Sequence, residues 1–107
     1  MTAARLARRD RVVEAVMALA DGHGEVTEHR AKNWASITFQ GQRHKLVMDF
    51  EGAAAVEAGE GLIALLPDHE FEIPGQLVAD AVITAVEHVA SMPALIVHAE
   101  ILVLEEE

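Results

Sequence analysis

The stretch from Trp34 to Phe50, WASITFQGQRHKLVMDF, constrains the chain most, because apolar and polar residues alternate on both sides of Gln40-Gly41. A two-residue turn at Gln40-Gly41 predicts a β-hairpin in which Phe39 faces Gln42, Ile37 faces His44 and Ala35 faces Leu46. One face then gathers Ala35, Ile37, Phe39, Leu46, Met48 and Phe50. The other carries Trp34, Ser36, Thr38, Arg43, Lys45 and Val47. Moving the turn by one residue would mix the two sets, so the alternation selects this register and makes Ile37 a core residue.

The flanking segments supply the rest of a two-layer domain. Thr2 can cap a helix from Ala3 to Ala20 whose apolar stripe is Leu6, Val13, Val16, Met17 and Ala20, ended by Asp21-Gly22. Its outer face holds Arg5, Arg8, Arg9 and Glu14. Glu25 to Arg30 reads as a short edge strand guarded by Glu28, Arg30 and Lys32, with Ala31-Lys32-Asn33 turning it into the hairpin. Gly52 to Leu66 has Val56, Gly59, Ile63 and Leu66 at helical spacing, which places a second helix on the apolar face of the sheet. Gly59-Glu60-Gly61 follows no clear strand and lacks a Lys, so it reads as a helix kink or close helix packing and not as a phosphate loop. Gln76 to Ala90 matches both a helix and a strand, and six β-branched residues between Val78 and Val89 favour the strand. Ala94 to Leu104 is apolar on both faces, as expected of a strand that is central or covered by another subunit. The expected fold is a single α+β domain over residues 1–107: an antiparallel sheet of about five strands with two helices on one face, in the order α-β-β-β-α-β-β.

With 107 residues and few aromatics, a core must be built from close-packed Val, Leu, Ile and Ala. The absence of Cys excludes disulfides, thiolate metal sites and cysteine nucleophiles. Residues 1–11 lack the apolar centre of a secretory signal, and no apolar run is long enough to span a bilayer, so a cytoplasmic protein with no membrane contact is expected. Charge is sharply divided. Residues 1–45 hold all eight Lys and Arg with five acids, for +3, while residues 46–107 hold thirteen acids and no base, for −13. Such a split favours pairing within or between copies of the chain and opposes polyanion binding over most of the surface, so no nucleic-acid partner is expected.

Candidate chemistry is sparse. Six histidines occur without an HxxxH, HxH or HExxH pair, so the spacing predicts no metal site and no cofactor. The weak catalytic candidates are Asp68, His69 and Glu70 in one turn, with help from His44. Hairpin parity, however, makes His44 a hydrogen-bonded histidine at the edge of the core. His98 and Glu100 share a face of the last strand, where a polar interruption on the solvent side is the simpler account. Ser36 and Ser91 lie in no nucleophile elbow. The reading favoured by these residues is a small non-catalytic module that self-associates as a homodimer or binds a protein partner, through Trp34, Val47, Ile96, Leu102 and Leu104. The competing reading is a small metal- or acid/base-dependent enzyme built on Asp68, His69, Glu70 and His44.

Overall fold

Asp10 is the first residue that the computed structural model describes; residues 10–89 and 92–105 are covered. Its backbone is extended, and its Oδ1 accepts hydrogen bonds from the amides of Val12 (2.7 Å) and Val13 (3.4 Å). That carboxylate satisfies two helix-start donors that would otherwise lack partners. Helix α1 therefore runs only from Arg11 to Ala18, with Val12, Val13 and Val16 buried. The extended Asp10 breaks the continuous helix expected from Ala3 to Ala20, and Thr2, Leu6, Arg5, Arg8 and Arg9 lie outside the described residues. Asp21 (φ 51°) and Gly22 (φ 82°) end the helical turn in the left-handed conformation, as their sequence suggested.

Strand β1 (Glu25–Ala35) then runs unbroken into a turn, and β2 (Gln40–Glu51) returns antiparallel to it. Two sequence expectations are corrected here. Ala31, Lys32 and Asn33 do not turn; they pair with His44, Arg43 and Gln42, so the expected edge strand and first hairpin strand are one, and the sheet has four strands. The turn comprises Ser36 to Phe39, not Gln40-Gly41. The Ser36 amide donates to the Phe39 carbonyl at 2.8 Å, while the Ser36 hydroxyl accepts from the amides of Phe39 and Thr38. This local side-chain capture is what Ser offers a turn. Ile37 is consequently fully exposed and Phe39 half exposed, so neither belongs to the core.

Gly41 has a different task. A Cβ there would come within 1.9 Å of the Val103 carbonyl oxygen, so the glycine permits close approach of two strands. Parity on β2 nevertheless survives the change of turn: Leu46, Met48 and Phe50 are buried on one face together with His44.

Helix α2 (Ala53–Leu65) and a 3-10 turn (Leu66–Asp68) cross over to β3 (Gln76–Val89), which forms a hairpin with β4 (Ala94–Glu105). The ambiguous segment is thus a strand. The sheet order is β1-β2-β4-β3, which makes β4 central and leaves β1 at an edge. Both helices lie on the inner face. A Cβ on Gly59 would sit 2.8 Å from the Phe50 ring and 2.9 Å from Leu95, so the glycine lets α2 settle closely on the middle of the sheet. Val12, Val16, Leu46, Met48, Phe50, Leu62, Leu66, Leu95, Val97 and Ile101 form one buried cluster between the layers. The shortest dimension, 20 Å, fits one sheet and one helical layer. No helix among the described residues is long and apolar enough to cross a membrane.

These placements separate two aliphatic truncations that the sequence put on one core face. Leu46→Ala, in the buried cluster, is expected to cost about 2–5 kcal/mol, and Ile37→Ala, at the exposed turn, within about 0.5 kcal/mol. Urea denaturation of the two variants measures both.

Candidate functional site

Among the described residues, one polar side chain is buried in the inner layer. His44 is 1% exposed, among residues that are otherwise apolar. Register places it beside Ala31 on β1 and Ile101 on β4, with His29 two residues along β1 on the same face. The Nε2 of His29 lies 2.9 Å from the Nδ1 of His44. The rings are nearly parallel, 7° apart, with centroids separated by 5.1 Å. That separation approaches the N···N distance plus one ring radius on each side. The contact is therefore an in-plane N–H···N hydrogen bond, with the N–H of one ring aimed at the lone pair of the other, and not a face-to-face stack.

Asp10 completes the group from the start of α1. Ligand-capable atoms of Asp10, His29 and His44 all lie within 4.8 Å of one another. Oδ1 of Asp10 takes both helix amide bonds, and Oδ2 takes neither. Burial pushes the His44 ring below its ordinary pKa; the Asp10 carboxylate opposes this shift, and nearby His29 adds to it. A cavity of about 510 Å³ adjoins the group, lined by Asp10, Glu14, His23, Glu25 and His29 among others. Sequence spacing could not reveal this cluster, because its members stand 19 and 15 residues apart on three elements.

His44 is hydrogen-bonded and buried, as hairpin parity suggested, but Asp68, His69 and Glu70 are not part of its group. Asp68 ends the 3-10 turn, and His69 packs edge-on against Phe71 with centroids 4.6 Å apart. His98 does not pair with Glu100. Its Nε2 lies 2.9 Å from Oε2 of Glu87 across the β3–β4 hairpin, while Glu100 approaches Arg43 at 3.8 Å.

The outer face of the sheet gathers all five residues expected at an interface. Across the strands in the order β1, β2, β4, β3, one row is Trp34, Gly41, Leu104 and Leu77. The next is Lys32, Arg43, Leu102 and Asp80, followed by Arg30, Lys45, Glu100 and Val82, then Glu28, Val47, His98 and Ala85. Leu77 and Val82 are exposed, and Trp34, Val47, Ile96 and Leu102 are only partly covered. At one corner Arg30, Lys32, Arg43 and Lys45 surround Trp34 in a groove of about 420 Å³. Among the described residues, neither helix packs on this face. Comparison with protein-family models, curated proteins and solved structures finds no match for the chain.

The depressed His44 pKa gives a testable pH dependence. The folded state binds fewer protons than the unfolded state as pH falls through the ordinary histidine range. Stability is therefore full well above pH 6.5 and declines as pH drops from about 6.5 through the lower folded pKa. His44→Gln should remove this histidine's part of the decline, leaving a shallower slope in urea melts between about pH 7 and 5.

Proposed function

We infer that the protein is a non-catalytic binding module that pairs with a second copy of itself through the outer face of its sheet. The carrying observation is the arrangement of that face. Its apolar residues lie outside both helices, and in the rows nearest Trp34 its charges are divided by strand, with Arg30, Lys32, Arg43 and Lys45 on β1 and β2 and Asp80 and Glu100 on β3 and β4, whereas Glu28, Glu25, Asp49 and Glu87 make the far end acidic. A two-fold axis parallel to the strands, passing between β2 and β4, lays β1 over the partner's β3 and β2 over the partner's β4. Each row then meets its own reverse. Trp34 lies over the partner's Leu77, Lys32 over the partner's Asp80 and Lys45 over the partner's Glu100, while the stem of Arg43 covers the partner's Leu102.

Two sheets packed in this aligned way keep their strands within about 30° of each other and exclude water from the contact. The row containing Glu25, Asp49 and Glu87 sets acids against acids, so contact is favoured towards the end of the sheet bearing Trp34. The charge pairs orient the two copies, while burial of Trp34, Leu77 and Leu102 supplies the main driving force. No arrangement of acid, base and nucleophile among the described residues favours the enzyme built on Asp68, His69, Glu70 and His44.

Sedimentation velocity on a charge-swap pair tests the reading. The unaltered chain should sediment as a dimer at micromolar concentration. Lys32→Glu and Asp80→Lys should each shift it towards monomer, and the double variant should restore the dimer, because each copy then regains complementary charge. A monomer throughout, or a dimer indifferent to every substitution, refutes this pairing.

A further inference from the structure

We propose that Asp10, His29 and His44 form a site for one divalent transition-metal ion, reached from the cavity beside α1. Two imidazoles and a carboxylate are a donor set suited to borderline cations such as Zn²⁺, Co²⁺ and Ni²⁺. The three side chains come from a helix start and two neighbouring strands, yet their ligand atoms fall within 4.8 Å of one another. Simple filling of this part of the core would not require a polar ring: Leu46, Met48 and Phe50 occupy the equivalent inner positions farther along β2. An imidazole with 1% exposure, joined by a second imidazole and a carboxylate, is instead a built polar site in an apolar layer.

The hydrogen bond between the rings is the metal-free form of this site. An N–H on one ring holds Nε2 of His29 and Nδ1 of His44 2.9 Å apart, and to face an ion with both nitrogens that ring takes its other neutral tautomer, the proton passing through solvent to its far nitrogen. For tetrahedral coordination at roughly 2.0–2.1 Å, the two nitrogens must part to about 3.3 Å and turn towards a common point. His29 can make this adjustment, because it is exposed and lies on the edge strand, whereas His44 is fixed in the core. Asp10 can ligate through Oδ2 while Oδ1 continues to cap α1. The 510 Å³ cavity supplies a route for the ion and room for water as a remaining ligand. Glu14 and Glu25 on its wall attract cations towards the entrance. The site thus links α1 to the first two strands, and metal binding would fasten the helix start to the sheet.

The test uses the full chain without an affinity tag, stripped of metal by a chelator. Co²⁺ is titrated while visible absorption is followed, and Zn²⁺ is titrated by calorimetry. The expected result is one ion per chain with micromolar or tighter affinity, a Co²⁺ absorption band that Zn²⁺ bleaches, and a thermal midpoint that rises with metal concentration. Asp10→Asn retains a helix cap but removes the anionic ligand, and His29→Gln alters an exposed position. Each should weaken binding at least about ten-fold while leaving the circular dichroism spectrum unchanged. His69→Ala should bind as the unaltered chain does. Absence of both absorption and heat overturns the proposal. So does binding that survives Asp10→Asn and His29→Gln, since the ion would then sit elsewhere.

Discussion

The pairing of β2 with β4 is the constraint on which the rest of the molecule depends. It sets Leu46 beside Ala99, Met48 beside Val97 and Phe50 beside Leu95 on one face, and Arg43, Lys45 and Val47 beside Leu102, Glu100 and His98 on the other. Because side chains alternate with a period of two, a slip of one residue on either strand would turn the buried set outwards. The adjoining structure follows from this register. Gly41 allows the two backbones to meet, Gly59 lets α2 sit on Phe50 and Leu95, and His44 comes to lie beneath the start of α1.

Alternation along β2 was legible in the sequence because it comes from burial, which acts on every second residue of the strand, and β4 was legible as a central strand because it is apolar on both faces. The turn was not. Gln40-Gly41 has the composition of a tight hairpin turn, but its glycine serves strand contact, and Ser36 instead closes the connection with its own side chain. A shift of the turn centre by about three residues was enough to move Ile37 from the expected core to full exposure. The same error divided β1 in two, since its charged surface gives little periodic signal and its length is set by the partner strand. Where a glycine lacks a side chain, sequence cannot say whether that space serves a turn or a neighbour.

The two polar features of the molecule differ in the same respect. Outer-face residues Trp34, Val47, Ile96, Leu102 and Leu104 could be recognised because strand parity names the face, although the four-cation corner required Arg30 and Lys32 to be drawn into the continuous β1. The Asp10, His29 and His44 group could not, because no local spacing brings a helix cap to two strand histidines. Opposite requirements meet across the sheet: its inner face encloses a small polar group within an apolar layer, while its outer face sets apolar residues among charges. On the proposed reading a second copy covers the outer set, and the division of charge between the two halves of the chain becomes the means by which two copies find one orientation.

Trp34 is the single tryptophan and lies on the outer face, so its fluorescence reports directly on whether that face is covered. Emission should be blue-shifted at high protein concentration and move to longer wavelength on dilution, with a midpoint at the dimer dissociation constant and no loss of the far-ultraviolet signal of the sheet. Emission that is the same at every concentration, while sedimentation records a single monomeric species, would contradict a dimer joined through this face.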